Sequence, residues 1–576
     1  MDNTALVNKV NRWYQSSVDY FKDWREKAKE SQEFREGKQW SDEDIEILNK
    51  QNRPALTFNK ILPSVNAVVG YQKRNRLDVI ALPRGGQDQL VSDIMTNAIR
   101  FVRDITNGEY EISDAFLDTV DTGMGWLKTF IDRSENPEGD PAFEWVPWDE
   151  IYPGPFKKAD GSDMKRCQHI KWFYPDEARA LYPNVPDEFW TSVKSILDSD
   201  QTVKGKASVP EKYADGTSLD WMRKEDGTIR IIETWWIEKQ VVTVEQQGQQ
   251  SNLALDVVKF VVTAGNQIIQ DPQPSPFRHR KIPFIPIVGF RGTKTFFGVI
   301  EALKDPQREK NKRRSQLLNI INRMPNGTWR YPEGSIDVEL WKREGPKPGA
   351  MLPYKPGFEP KPNDMPSPPA AIFEMESRSD FDMKEISGVN NALLGIAEGS
   401  REPGVAVNMR QQQGITTLVT LFDNLRLSHK ALGSQLISLI QQVYGPERLM
   451  RVVDDPNLTQ YLMTPEGQKI VYDAASAKYN LVLEEVSVSA SSRQEAFTQF
   501  NTIFQTITQL NPQLGAALLP EFISASDLPN KNAILRKIDQ VNQAAAQAAP
   551  PSLLNTSSQP LNQIGSQPPM MPGFPQ

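Results

Sequence analysis

Apolar residues recur at spacings of three and four from the start of the chain: Val7, Val10, Tyr14, Val18 and Phe21 line one side of an otherwise charged segment. That spacing predicts a helix over residues 4–35, docked on a larger body by its apolar stripe. A further helical stretch follows at about 88–104, and then the pattern changes to strands. Runs rich in Val, Ile, Trp and Thr are separated by Gly, Pro and Asp: "GWLKTFID" at 125–132, "AFEWVPWDEIYPGP" at 142–155, "QHIKWFYP" at 168–175, then "TIRIIETWWIEKQVVTV" and "DVVKFVVTAG". Residues 36–295 therefore read as a mixed α+β body.

The helical signal returns over 296–323 and stops, because residues 324–370 hold eleven prolines, which forbid a long helix. It resumes over 371–394, where Ile372, Met375, Met383, Ile386, Val389 and Leu393 share a face. A Pro-rich head is thus carried between two helices. After the Gly-punctuated "GIAEGSREPGVAVN" comes one long amphipathic helix over 408–444, its stripe running Ile415, Leu418, Phe422, Leu425, Leu432, Leu436, Ile440 and Val443 up to the stop signal Gly445-Pro446. The segment 492–511 opens on a capping box, Ser492 with Glu495, and carries Phe497, Phe500, Phe504 and Ile507 on one face; another helix is expected over 529–546. No charge follows Asp539, and 546–576 holds seven prolines among Gln, Ser and Asn, the composition of a disordered tail.

At 576 residues the chain has room for several cores. A hydrophobic fraction of 39% and a mean hydropathy of −0.52 favour an elongated or interface-rich shape over one compact core. The single cysteine, Cys167, excludes an internal disulfide framework and a Cys-based zinc site, and fits a reducing compartment. No run of 18 apolar residues occurs and the N-terminus lacks an apolar core, so neither a membrane span nor a signal peptide is expected.

Charge alters the picture at one place. The chain carries a net −7, yet "LKDPQREKNKRRSQLLNIINR" at 303–323 holds seven basic residues. On a helix Lys304, Arg308 and Lys312 form one row and Glu301, Asp305 and Glu309 the next, so much of the charge is paired locally. Gln307, Asn311, Ser315 and Asn319 form a third row. A helix polar almost all round is either exposed on two sides or packed against copies of itself. In a closed ring of identical chains, an acidic row can face a neighbour's basic row.

Catalytic chemistry finds little support. No phosphate-binding loop of the G-x-x-x-x-G-K-[ST] form exists, and His169, His279 and His429 have no neighbours at metal-ligand spacing. The carboxylate cluster "SDEDIE" at 41–46 reads as a helix start, where acidic side chains complement the dipole. "NGT" at 326–328 is a formal glycosylation sequon without secretory context. No metal or cofactor is expected.

The order of these pieces is familiar: "DPQREKNKRRSQLLNIIN" preceded by "IPFIPIVGF" and followed by a Pro-rich insert, a second helix, a Gly-rich loop and a long helix, with "FREGKQW", "NRPALTFNKI", "DTGMGWLKTF" and "WDEIYPGP" upstream. Together, over about 5–540, they resemble the portal (head-to-tail connector) proteins of tailed bacteriophages, nearest the type of short-tailed phages resembling P22. The resemblance implies an α+β portal fold: an N-terminal helix (1–35), a wing (36–295, joined by the long helix and its return within 408–489), two stem helices (296–323 and 371–394), a clip (324–370), a tunnel loop (395–414) and a helical crown (490–545) before the tail. Some relatives extend the C-terminus into a helical barrel, whereas this chain ends in its proline-rich tail.

Such a fold implies no enzyme but a ring, a dodecamer in this family, at one capsid vertex of a virion assembled in the host cytoplasm. Its partners would be double-stranded DNA, terminase, the major capsid and scaffolding proteins and tail adaptors, with no membrane. Arg401, Asn408, Arg410 and Gln411 are the candidates for weak, sequence-blind DNA contact. Glu301, Lys304, Asp305, Arg308, Glu309, Lys312, Arg313 and Arg314 are candidates for stem contact between subunits, and Trp341, Lys342, Arg343, Lys347, Tyr354 and Lys355 for docking at the clip. A conduit must let DNA slide, and affinity rises steeply with each phosphate neutralised, so an acidic ring suits the task better than a cationic one. A structural head-tail adaptor without a DNA role, and a nucleic-acid enzyme, are the alternatives.

Overall fold

The computed structural model describes residues 3–51, 53–82, 89–198, 221–223, 225–246, 249–323, 329–345, 347, 349–362, 370–389, 414, 416–452, 482–487 and 490–510, with scattered single positions as far as 538. The N-terminal part runs α1 (Asn3–Glu36), α2 (Asp42–Lys50), α3 (Ile61–Arg74), β1 (Leu77–Leu82), α4 (Gln89–Ile105), α5 (Gly108–Thr122), β2 (Met124–Asp132), β3 (Asp140–Val146), β4 (Ile151–Pro153), β5 (Arg166–Phe173), α6 (Pro175–Leu181) and α7 (Asp187–Asp198). Strands follow: β6 (Met222–Arg223), β7 (Thr228–Gln246), β8 (Gln249–Ala264), β9 (Gln267–Pro274), β10 (Phe284–Val288), β11 (Phe290–Arg291) and β12 (Phe296–Phe297). Then come α8 (Lys304–Arg323), β13 (Trp329–Arg330), α9 (Val338–Glu344), β14 (Lys361–Pro362), α10 (Ala370–Ser387), α11 (Val419–Val443), α12 (Pro446–Val452), β15 (Val482–Ser487) and α13 (Ala490–Leu510). Residues 1–488 form one compact unit and 489–576 another.

The first unit is organised by two antiparallel sheets. One has the order β4-β5-β7-β8-β9 with β6 beside β7, and the other is β10-β2-β3. Successive side chains of a strand face opposite ways, and the smaller sheet is buried on both sides. Leu127, Phe143, Ile285 and Ile287 pack into a core shared with α3, α4, α5 and α11. Met124, Trp126, Val146, Phe284 and Val288 pack into a second core with Phe21, Trp24 and Ala28 of α1 and Trp235, Val258 and Phe260 of the larger sheet. The apolar stripe of α1 thus does dock on the body; Leu6 and Val10 reach Trp236 and Val261. In the second unit, Phe500 and Phe504 of α13 stack on Phe522 at 5.8 and 4.4 Å.

Some boundaries differ from the sequence expectation. Helix does not begin at 296: Phe296–Phe297 pairs with Phe290–Arg291 as a small hairpin, and a 3₁₀ turn over Ile300–Leu303 leads into α8. Helix α10 stops at Ser387 rather than 394, because Gly388 adopts φ +66°. Helix α13 starts two residues before the capping box. The 529–546 helix, apart from single position 538, and the tail lie outside the described residues.

Gly125, on β2, sits where α5 crosses: a Cβ there would lie 1.8 Å from the Ala115 carbonyl oxygen. At Gly70, exposed on α3, a Cβ would meet nothing within 4 Å. Gly125→Ala should therefore lower the stability of the chain by about 2–3 kcal/mol, while Gly70→Ala raises it by about 0.5–1 kcal/mol through helix propensity; denaturant unfolding checks both.

Helix α5 also buries two carboxyls. Asp118 accepts from Trp145 Nε1 at 2.8 Å, and Asp121 lies 2.8 Å from the Arg35 guanidinium. Burial raises both to about 7. Protons are therefore bound in the folded chain at a pH where the unfolded chain has released them, so this pair makes stability fall as pH rises from the ordinary carboxyl value of 3.8 to about 7, with no further loss above. Asp118→Asn should flatten that slope, seen as a smaller difference in Tm between pH 5 and pH 8.

Candidate functional site

Helix α8 tolerates Pro306 because it falls in the first turn, where backbone N–H groups have no intrahelical acceptor. Its cationic side chains spread to several different elements. Lys304, its side chain 4% exposed, donates to the Lys27 carbonyl at 2.9 Å and to Glu30 and Glu301 at 2.8 Å each. Arg308 pairs with Glu30, and with Asp305 at 2.7 Å, and lies 4.9 Å over the Phe34 ring. Lys310, buried, pairs with Asp380 on α10. Lys312 is 3.8 Å from Asp44 on α2, Arg313 is 3.5 Å from Glu309, and Arg314 lies 5.0 Å over Phe58. Burial pushes the Glu301 carboxyl up, and hydrogen bonds from Lys27 and Lys304 outweigh it, so its pKa falls below the ordinary value.

The third row of α8 is buried against the chain itself. Ser315 Oγ accepts from Leu56 N, Asn311 Oδ1 from Phe58 N and Gln307 Oε1 from Lys60 N, each at 3.0 Å. Gln307 Nε2 donates to the Phe58 carbonyl at 2.8 Å, and Asn311 Nδ2 to Gln39 Oε1 at 2.7 Å. Alternate backbone N–H groups point one way in an extended chain, so the strap over 53–60, which has no ladder of its own, is held rung by rung on side chains four apart. Asn319, the fourth member of the row, would face position 54, which is Pro and has no N–H to give. The apparent choice between a helix exposed on two sides and one packed on copies thus had a third answer: one polar face of α8 is satisfied within its own chain.

At the far end of α10, Gly388 lies against Thr417 and Gly414. A Cβ on Gly388 would lie 1.7 Å from Thr417 Oγ1, which donates to the Gly414 carbonyl at 2.8 Å. Val389 and Leu418 are buried beside this point. Arg401, Asn408, Arg410 and Gln411 fall between Val389 and Gly414 in sequence, outside the described residues.

The Pro-rich head contains a small folded module. Strands β13 and β14 pair, Ile336 bridges to Tyr354, and Asp337 caps α9 by accepting from Glu339 N at 3.1 Å and Leu340 N at 3.2 Å. Trp341 donates from Nε1 to the Pro353 carbonyl at 2.9 Å and meets Trp329 edge-on at 5.5 Å. Glu344 binds Lys347 at 2.7 Å and Arg343 at 3.1 Å. Lys342, Arg343, Lys347, Tyr354 and Lys355 are all exposed.

Residues 11–571 match the model of the phage P22-like portal protein family. The chain belongs to that family. A portal protein of Helicobacter pylori bacteriophage KHP30 is 18% identical over 563 residues, covering 95% of this chain and 84% of the relative. Among solved structures, similarity extends to a chain from the neck of an empty gene transfer agent (GTA) particle (TM-score 0.32, 12% identity, 65% of this chain and 77% of the other) and to one from the virion of a native GTA particle (TM-score 0.35, 11% identity, 82% and 88%).

Several other titratable groups of this portal-family chain are held in caps or buried pairs. The start of α2 is a helix cap: Ser41 Oγ accepts from Asp44 N at 3.1 Å, with Asp42, Glu43 and Asp44 in the first turn. Buried His169 faces Glu150 at 3.2 Å and Glu233 at 3.6 Å, while Lys128 pairs with Glu233 at 2.7 Å; although burial raises the Glu233 carboxyl, Lys128 and His169 outweigh it and hold its pKa well below the usual range. Burial lowers His279 to about 4 and His429 to about 3. Among the described residues no three His, Cys, Asp or Glu side chains gather where they could hold a metal ion, and no helix is long and apolar enough to cross a membrane.

Sequence reasoning found the rows of α8 but missed Gln39, Glu30, Asp44 and Asp380, which carry no local signal of being its partners. Lys304→Ala should cost about 1–3 kcal/mol, because it removes a buried cation with three hydrogen bonds, while Glu301 keeps Lys27 and Glu30 keeps Arg308. Lys312→Ala, at a half-exposed 3.8 Å pair, should change stability by under about 1 kcal/mol; the two denaturation midpoints report the difference.

Proposed function

We propose that copies of this chain close into a ring of twelve at one capsid vertex, through which double-stranded DNA enters during packaging and leaves during ejection. Terminase docks on the ring first and the tail adaptors later, while the major capsid and scaffolding proteins surround it. The family match over 11–571 carries this reading. Charge supports the conduit: twelve copies at −7 each make about −84, a field that repels phosphate and favours sliding over capture.

The stem role of α8 then narrows. All eight candidates are engaged within the chain, and Glu301, Lys304, Arg308, Arg313 and Arg314 are the less exposed, so contact between neighbours falls to the more exposed Asp305, Glu309 and Lys312. Arg401, Asn408, Arg410 and Gln411 contact the duplex from a loop whose two ends are pinned at Gly388 and Thr417. Lys342, Arg343, Lys347, Tyr354 and Lys355, with half-buried Trp341, form the docking surface of the clip.

Electron microscopy of the purified full-length chain should show rings with an axial opening wide enough for duplex DNA. Replacing both Arg401 and Arg410 with Ala should leave those rings intact and change the length of DNA packaged or its retention. Monomers under capsid-assembly conditions, or a ring too narrow for a duplex, would overturn the channel; unchanged packaging and retention would remove the loop from it.

A further inference from the structure

Most cations of α8 are answered by carboxylates of their own chain, but a row of arginines beside α1 is not. Arg223 lies 3.9 Å over the Trp172 ring, and Trp172 stands opposite Arg230 across β5 and β7. Arg230 lies 4.8 Å over Tyr14, Tyr14 meets Tyr152 edge-on at 5.0 Å, and Arg25 lies 3.7 Å over Tyr152. Three guanidiniums are thus interleaved with three aromatic rings where α1 packs on the larger sheet. Arg223 is exposed and the other five side chains are half-buried.

None of the three arginines forms an ion pair with a carboxylate among the described residues. Arg25 donates to the Asp149 and Ile151 carbonyls and Arg230 to the Tyr14 hydroxyl at 3.4 Å, while the Nε–H of each is buried without an acceptor. Burial pushes the Arg25 pKa down, and the carboxylate of exposed Asp149 acts on it only from outside ion-pair reach. Burial also raises Tyr14 to about 12, so that hydroxyl keeps its proton and supplies no countercharge. Other cations held over rings meet a carboxylate as well: Lys128 has Glu233, Arg308 has Glu30 and Arg448 has Asp140. A ring face offsets part of the cost of drawing a guanidinium out of water, and an anion has to supply the rest.

A duplex is a poor source of that anion, because a conduit's DNA slides and a three-arginine row repeated in every copy would hold it. A neighbouring copy is a better one. Each copy carries 73 Asp and Glu against 66 Lys and Arg, so it has carboxylates to spare. Guanidiniums stacked on rings keep N–H edges free to bind carboxylate oxygens, and the contacts of a closed ring join unlike surfaces, so a cationic row can meet an acidic one. We infer that Arg25, Arg223 and Arg230 form an intersubunit site that takes carboxylates of the adjacent copy of this chain. The site rests on the ring assembly proposed above.

The test uses the full-length chain and changes the exposed end of the row. Arg223→Glu should leave the thermal transition within a few degrees and raise the concentration needed for half-assembly at least about tenfold. Arg223→Lys keeps the charge and adds an amine that carbodiimide can couple to a touching carboxylate. In rings mixed from isotopically light and heavy copies, peptide mapping should find position 223 of one copy joined to an Asp or Glu of another. Arg223→Glu chains that assemble at the unmodified concentration, couplings confined to one chain, or none in intact Arg223→Lys rings would each overturn the site and leave the ring standing. Arg223→Glu rings that assemble normally but lose retention of duplex DNA would overturn it in favour of a DNA contact. Absence of rings from the unmodified chain would overturn the ring itself, and this site with it.

Discussion

Lys304, Gln307, Lys310 and Asn311 are almost completely shielded from water on a single helix, each 3% exposed or less. An ammonium or amide removed from water without a partner costs several kcal/mol, so each obliges some other part of the chain to come to it. Lys304 requires Glu30 and Glu301, Lys310 requires Asp380, and the two amides require the strap at 53–60 and Gln39. Through these four demands α8 sets where α1, α10 and the approach to α3 can lie. The apolar cores are ordinary by comparison, since many packings of Leu, Ile and Val have similar energy, whereas a buried cation accepts very few arrangements.

The same pairing bears on how copies of the chain meet. A helix with seven basic residues in an acidic protein suggests, at first sight, an attractive rail for DNA or for a neighbour's carboxylates. Most of that charge is already balanced by Glu30, Asp305, Glu309 and Asp380, and part of it is stacked on Phe34 and Phe58.

Much of the fold was legible in the amino-acid order, and the reason is periodicity. The double-sided burial of β2 follows from Trp126 and Leu127 facing different cores; Val7, Val10 and Phe21 of the α1 stripe, Leu418 and Leu425, Leu432, Leu436 and Ile440 of α11 are buried as their spacing requires, while Tyr14, Val18, Phe422 and Val443 are half-buried. Long-range polar pairing has no such signature. Asp380 lies 70 positions from Lys310 and Glu30 lies 274 from Lys304, with nothing in either neighbourhood to announce the match. The row Gln307, Asn311, Ser315 was visible as a spacing, but its partner is a stretch of backbone, and backbone donors look the same under every residue except proline. The termination of α10 at Gly388 was equally hidden, because the apolar spacing runs on past it to Leu393.

The strap on α8 brings together two rulers of unequal pitch. Residues four apart on a helix advance about 6.0 Å, and residues two apart on an extended chain about 6.6 Å, so alignment slips by roughly 0.6 Å at each step. Across that slip the acceptors differ in reach: Ser315, Asn311 and Gln307 are each one carbon longer than the last, and all three bonds measure 3.0 Å. No neutral side chain extends that progression beyond glutamine, which makes three steps the ceiling for such a vernier. Exchanging Asn311 with Gln307 would keep every functional group and still ruin the fit, and inserting a single residue between Leu56 and Lys60 would turn the donors beyond it to the wrong side.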